Sequence, residues 1–391
     1  MEGDFIKIND WLLPLSWIYG AGVRLRNQMF EMGMLKSRSF DIPVISVGNI
    51  TVGGSGKTPH VEYLINLLRD KVKVAVLSRG YKRKSKGYML ATADTPMSDI
   101  GDESYQMKKK FADIYVAVDK DRCHGIDQLT ANEETSDTDV ILLDDAYQHR
   151  YVKPGVNILL VDYHRLIMYD KLLPAGRLRE PQKGKARADI VIVSKCPAEL
   201  KPMEFRVITK AMNLFPYQKL YFTTLKYGSL RPIYGGEDRK LDTLTGDTSI
   251  LLLTGIASPQ QMIVDLKPYT ERITPLTFPD HHQYTDADID RINAEFEAMK
   301  GNDKMIVTTE KDNARLCGME GLSDEVKKNI YVLPVEVGFM LDQEEDFNEN
   351  IIGYVRKNSR NSILAKAKDD NKSDNSDNSG NRTRTISFRN N

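Results

Sequence analysis

An apolar run that breaks into a glycine-rich loop and then a Gly-Lys-Thr helix start leaves this chain few ways to fold. Pro43-Val-Ile-Ser-Val47 leads directly into Gly48-Asn-Ile-Thr-Val-Gly-Gly-Ser-Gly-Lys-Thr58. The pattern predicts a buried strand, a turn and a helix N-terminus. Glycines in the turn let backbone amides point inward, and the helix terminus adds partial positive charge, so phosphate oxygens are held there. In such a loop the lysine, here Lys57, reaches the β- and γ-phosphates, and the Thr58 hydroxyl meets Mg²⁺. The candidate nucleotide-binding set is Thr51, Val52, Gly53, Gly54, Ser55, Gly56, Lys57 and Thr58. One position departs from the general pattern: Thr51 stands where glycine is usual, and Gly53 and Gly54 lie inside the loop instead.

The runs that follow extend this local motif into a fold class. Residues 72–77, 114–118, 140–143, 156–161 and 190–193 are short, rich in Val and Ile, and spaced widely enough for helices. Near-continuous apolar runs belong to strands buried on both faces, as in the parallel sheets of α/β proteins. A second, shorter series at 250–253, 305–307 and 330–335 alternates with helix-like segments such as 286–299. The expectation is α/β: a P-loop parallel-sheet domain over 39–217 with helices on both faces, and a smaller α/β domain over 218–358. Residues 218–234 alternate weakly and read as a ribbon between the two. From 359 onward the chain turns to Lys, Asp, Asn, Ser and Gly, and such a tail cannot bury enough apolar surface to order itself.

Residues 1–38 hold an amphipathic helix. Trp11, Leu15, Ile18, Gly22, Leu25, Met29 and Met32 share one face, with Arg24, Asn27 and Glu31 opposite. Asn9 or Asp10 is the expected N-cap. The pattern alone favours a helix packed on its own domain, although Trp11 and Trp17 with nearby arginines also suit a membrane interface. The charge-free stretch from 11 to 23 is too short to span a bilayer, which takes about 20 apolar residues. Acidic Glu2 and Asp4 do not suit a secretory signal. Basic and acidic residues balance at 55 each, which argues against nucleic-acid partners. The three cysteines, Cys123, Cys196 and Cys317, form no CxxC pair, so neither a disulfide scaffold nor zinc-type spacing is read, and the usage suits a reducing cytoplasm.

A nucleotide loop needs a carboxylate at a neighbouring strand end. Val140-Ile-Leu-Leu-Asp-Asp145 delivers Asp144 and Asp145 there, positioned to hold Mg²⁺. His149 follows closely, and His281 and His282 are adjacent, so only one of that pair is expected at a shared site. Paired with a carboxylate, such a histidine serves proton transfer; otherwise it is polar surface. Arg122, beyond the Gly101-Asp-Glu103 segment, and the arginines of the 176–181 loop, Arg179 beside Glu180 among them, either grip phosphate or are solvated charges on this reading.

Taken in order, PVISVGNITVGGSGKT (43–58), SRGY (78–81), GDE (101–103), DDAYQH (144–149), LLPAGRLREP (172–181), TGIASP (254–259), FPDHHQY (278–284) and TTEKD (308–312) resemble the tetraacyldisaccharide 4′-kinase family. The resemblance covers roughly residues 9–340, and Thr51 matches the family's own loop. Where the family usually has DDGFQH, this chain has Ala146 and Tyr147; where it often has GDEP, Ser104 stands here. The resemblance implies an ATP- and Mg²⁺-dependent kinase of the 4′-hydroxyl of a tetraacylated disaccharide 1-phosphate, at the cytoplasmic face of the bacterial inner membrane. It also implies Asp102 as base with His281 paired to it, and Gln148, His149, Arg179 and Glu180 near nucleotide or sugar phosphate, with Glu103 and Arg122 as second choices. A bilayer-embedded acceptor turns the reading of the first helix toward the membrane interface. Two other functions fit the phosphate loop: a kinase of a soluble metabolite, and a non-enzymatic NTP-driven switch.

Overall fold

The computed structural model describes residues 8–359 apart from 257, 258, 281, 302, 317 and 318. The proposed tail from 359 therefore lies, but for its first residue, outside the described residues. A short turn at Asp10–Leu12 leads into α1 (Leu13–Glu31). The main layer then alternates as the apolar runs require: β1 (Val44–Gly48), α2 (Lys57–Leu68), β2 (Val74–Ser78), β3 (Met89–Leu90), α3 (Met97–Ile100), α4 (Asp102–Lys110), β4 (Tyr115–Val118), α5 (Arg122–Ala131), β5 (Val140–Asp144), β6 (Val156–Asp162), β7 (Ile190–Ser194), α6 (Pro202–Met212) and β8 (Lys219–Tyr227). The smaller layer contains β9 (Arg231–Pro232), β10 (Ser249–Thr254), α7 (Gln260–Leu266), β11 (Ile273–Thr277), α8 (Asp286–Ala298), β12 (Lys304–Thr309), α9 (Glu310–Leu316), α10 (Asp324–Asn329) and β13 (Ile330–Leu333). The chain returns through β14 (Val335–Phe339) and ends with α11 (Glu344–Asn358).

Nine strands form the large sheet in the order β14-β8-β7-β6-β1-β5-β2-β4-β3, parallel except at β3 and β14. Along each central strand, alternate residues feed opposite faces. Ile45 and Val47 join a core with α2, α4 and α11. On the other face, Ile141 and Leu143 meet Ile126 and Leu129 of α5, and Val191 and Val193 meet Phe205 and Ile208 of α6. Strand β1 lies between β5 and β6, so the chain's direction of winding reverses there and a crevice opens at the carboxyl ends. The second sheet runs β11-β10-β12-β13-β9.

The expected boundary at 218 shifts. Strands β8 and β14 pair antiparallel at the edge of the large sheet, Val335 opposite Tyr227, and only Pro334 separates β13 from β14. Phe347, Ile351 and Val355 of α11 bury in the large core. Residues 219–227 and 335–358 thus belong with the first layer, because their apolar positions find partners there. The two strands form the ribbon that carries the smaller layer.

Two expectations for the N-terminal helix are corrected. Neither Asn9 nor Asp10 caps through its side chain; the Leu12 amide bonds the Asn9 carbonyl instead. More consequentially, the apolar face does not pack inward. Trp11 is 93% exposed, Ile18 71% and Leu25 59%. The buried side carries Ser16, Gly20 and, at its far end, Phe30: Ser16 Oγ donates to the Leu172 carbonyl (2.9 Å) and accepts from the Ala175 amide (3.0 Å), a Cβ on Gly20 would strike Leu172, and Phe30 packs edge-on against Tyr151. Among the described residues no helix is long and apolar enough to cross a membrane.

Candidate active site

Parallel pairing sets the site. Val47, the last apolar residue before the loop, sits opposite Asp144 in β5, so loop and carboxylate leave adjacent strand ends together. Thr51 is bridged antiparallel to Leu178, with the Val52 amide on the Arg177 carbonyl (2.8 Å). That extended stretch explains why threonine is tolerated there. The loop then closes on itself: Asn49 Nδ2 donates to Ser55 Oγ (2.7 Å), Ser194 Oγ to the Ser55 carbonyl (2.9 Å), and Lys195 to the Gly54 carbonyl. Gly56 takes φ +76° immediately before α2, a conformation that favours glycine.

His60, which sequence reasoning passed over, locks this helix start. Its Nδ1 lies 2.7 Å from the Gly56 carbonyl and its Nε2 3.0 Å from Thr223 Oγ1 in β8. With Nδ1 protonated, the ring donates to the carbonyl and accepts from the hydroxyl. Burial pushes its pKa down to about 4. An unfolded chain takes up this proton near pH 6.5 while the native state refuses it, so stability falls as pH drops from about 6.5 to 4. The group accounts for roughly 3 kcal/mol across that window. Urea midpoints for His60→Gln should fall less steeply between pH 6.5 and 4 than those of the native chain; parallel slopes would exclude His60 as a source.

The two aspartates divide. Asp145 occupies left-handed backbone space at φ +47°, meeting Arg179 at 3.3 Å and Lys57 Nζ at 3.8 Å. Despite burial, the Lys57 and Arg179 charges hold its carboxyl below the usual range. Asp144 is buried, and neither of its oxygens has a hydrogen-bond partner among the described residues. Burial, then the Glu103 and Asp145 charges, push it up to about 7. A buried carboxylate beside a phosphate loop, repelled by two others and lacking a donor, fits a divalent cation. Arg122 is also buried, its guanidinium against the carbonyls of Asp119, Lys120 and Asp144. Burial takes its pKa down to about 10, so it remains charged at neutral pH.

The smaller layer reaches this edge through a segment to which sequence reading assigned no role. Thr309 Oγ1 and the Gly255 amide both donate to Asp312 (2.8 and 2.9 Å), and Asp312 pairs with Arg315 (3.0 Å). Arg315, itself buried, pairs with Asp102 at the start of α4. Lys311 meets Glu103 (3.2 Å) and Asp280 (3.7 Å), and Glu310 meets Lys110 (2.8 Å). TTEKD is thus the strut that docks one layer on the other. Gly101, at φ +84° just before Asp102, lets the start of α4 pass close to the loop after β2: a Cβ there would lie 2.8 Å from the Tyr81 carbonyl. Between the layers lies a cavity of about 210 Å³ bounded by Gly56, Lys57, Glu103, Lys195, Met262 and Lys311.

The remaining expected residues separate. His281 lies outside the described residues, so its pairing with Asp102 is not seen. His282 faces away, bonded to Asp288 (2.9 Å) and stacked on Phe278. His149 is partly buried, and burial, then the Arg122 charge, push it down to about 4. Gln148 accepts from Arg26 of α1 through its backbone carbonyl (3.3 Å), and Tyr19 donates to the Arg179 carbonyl (2.7 Å), so α1 braces the loop after β5 and the 176–181 loop. Glu180 is buried and paired with Arg187 at 2.8 and 2.9 Å. Arg187 in turn covers the Tyr147 ring.

Comparison with known proteins places these features in company. Residues 8–356 match the family described as LpxK, tetraacyldisaccharide-1-P 4′-kinase. A tetraacyldisaccharide 4′-kinase of Phocaeicola vulgatus is 60% identical over 363 residues, covering 93% of this chain and 99% of that protein. One from Bacteroides thetaiotaomicron is 54% identical, covering 93% and 98%. Among solved structures, the "apo" form of LpxK from Aquifex aeolicus in complex with ATP aligns with a TM-score of 0.65 at 31% identity, over 88% of this chain and 98% of that one.

Proposed function

Since the chain belongs to the tetraacyldisaccharide-1-phosphate 4′-kinase family, we propose a division of labour in which the large sheet holds ATP and the smaller layer completes the acceptor side. The protein is a kinase that uses ATP and Mg²⁺ to phosphorylate the 4′-hydroxyl of tetraacyldisaccharide 1-phosphate in lipid A biosynthesis. The observation that carries the assignment of roles is Asp144, buried, without a hydrogen-bond donor among the described residues, and in register with the phosphate loop.

Amides of residues 53–58 and Lys57 hold the β- and γ-phosphates, while Thr51 and Val52 anchor the start of the loop on Leu178 and Arg177. Thr58, Asp144 and Asp145 hold Mg²⁺, which when bound neutralises phosphate charge. Phosphoryl transfer is chiefly positioning and charge stabilisation. Arg122 and Arg179 supply the remaining positive charge, and the Nε atoms of both are buried without a partner among the described residues. Asp102 takes the 4′-hydroxyl proton as the new O–P bond forms and the bond from the γ-phosphorus to the bridging oxygen breaks; ADP leaves with that electron pair. His281 pairs with Asp102 in this step, Arg315 orients the carboxylate, and Gln148 and His149 line the phosphates. Incubation with ATP, Mg²⁺ and the disaccharide lipid should yield a product heavier by one phosphoryl group. ADP formed without that product would point instead to an NTPase switch.

The first helix meets the cytoplasmic face of the inner membrane. Its exposed stripe of Trp11, Ile18 and Leu25 supports this, as does an apolar cleft of about 720 Å³ beneath it, lined by Leu13, Trp17, Leu172 and Leu178 and suited to acyl chains. Each aliphatic side chain buried contributes about 1.5–3 kcal/mol. Ile18→Asp with Leu25→Asp should therefore lower sedimentation with phospholipid vesicles about tenfold or more, with turnover of detergent-dispersed acceptor retained. Undiminished sedimentation would remove the helix as the anchor.

A further inference from the structure

Beside the catalytic carboxylates, three side chains of different chemistry converge that the phosphoryl-transfer reading does not require together. Asp121 caps α5, Cys123 lies in that helix's first turn, and His149 lies on the loop after β5. One ligand atom from each falls within 4.8 Å of the others, and His149 Nε2 stands 4.0 Å from Asp121 Oδ1. That Nε2 atom is buried and has no hydrogen-bond partner among the described residues. No spacing rule finds this set, because 26 positions separate Cys123 from His149; α5 and β5 bring them together.

The donor set selects its cation. Mg²⁺ takes oxygen ligands almost alone, whereas a thiolate, an imidazole and a carboxylate suit a borderline-soft ion. Three protein ligands with one position open is a usual zinc arrangement, with bonds of about 2.0–2.3 Å. Ligand atoms already within 4.8 Å of each other need only small side-chain adjustments to reach it. Asp121 Oδ1 also accepts from the Cys123 and His124 amides (2.9 and 3.4 Å), so the carboxylate is held in place.

We infer that Asp121, Cys123 and His149 form a site for Zn²⁺ or a cation like it, and that filling it slows the kinase. The slowing rests on the placing of His149 beside phosphate: a ring bound to metal is withdrawn from that contact. Asp121 and Cys123 also flank Arg122, whose guanidinium touches the Asp144 carbonyl, so the metal would tie α5 to the catalytic loop.

Cobalt(II) is the probe, titrated into the metal-free full-length protein. A thiolate-to-cobalt absorption band is expected with one equivalent, retained in Cys196→Ala/Cys317→Ala, lost in Cys123→Ser and His149→Ala, and displaced by Zn²⁺. No band, or one that survives Cys123→Ser, overturns the site. In the kinase assay at fixed ATP and Mg²⁺, Zn²⁺ sufficient to displace cobalt should slow the native enzyme several-fold and leave Cys123→Ser at its untreated rate. Equal slowing of both overturns the inhibitory role. A Cys123-dependent band with no slowing keeps the metal site but removes the link through His149, which separates failure of the site from failure of the phosphate reading.

Discussion

Lys57→Ala loses almost all kinase activity, by about 10²–10³-fold in kcat or more, while the chain stays folded. The size follows from removing one preorganised charge from a transition state, commonly about 3–4 kcal/mol. The fold survives because Asp145, the side chain Lys57 faces, is still paired with Arg179 at 3.3 Å. Thr58→Ala behaves similarly if its hydroxyl holds Mg²⁺, with the loss partly relieved at high Mg²⁺. Steady-state rates alongside thermal melting check both: near-native turnover in Lys57→Ala at an unchanged melting temperature would end the phosphate-loop assignment.

Asp102→Asn lowers kcat by roughly 10²–10⁴-fold, the usual range for a positioned general base, and leaves ATP affinity nearly unchanged. Asparagine is the informative replacement. Alanine would take from buried Arg315 the carboxylate of Asp102, and a buried cation stripped of a partner costs stability in its own right. His281→Ala should fall in the same direction. If the two act as one unit, the double variant is scarcely worse than the poorer single, since groups sharing a catalytic task are non-additive. His282→Ala is the milder control, its ring being engaged by Asp288. Multiplicative losses for Asp102 and His281 would count against a shared role.

The strand, loop and helix at 43–68 were legible because their signals are local: an apolar run, glycines where the backbone must turn, and a helix that begins within the motif. Asp144 was legible for the same reason, as the polar end of four aliphatic residues. Its register with Val47 follows once both strands are placed in one parallel sheet. The surrounding charges were not legible. Glu180 and Arg179 are neighbours in sequence, yet one is neutralised by Arg187 and the other faces Asp145. Nothing in a charged loop distinguishes them until the loop is folded. TTEKD, a motif without an evident task, acquires one only when Glu310, Lys311 and, through Arg315, Asp312 meet partners about 200 positions earlier.

By itself, then, the amino-acid order determined the fold class, the phosphate loop and the carboxylate strand end, since each depends on periodicity and on residues within a few positions. Tertiary structure decided which way things face. A 4-3-4-3 stripe states that α1 has an apolar side, but only the docking of Ser16 and Gly20 on Leu172 turns that side to the solvent. It likewise decided that β14 and α11 return to the large sheet, where Phe347 and Ile351 bury their surface. It also gathered Asp121, Cys123 and His149 around one point. Such outcomes depend on burial and on partners distant in the chain, and a one-dimensional pattern carries no record of either.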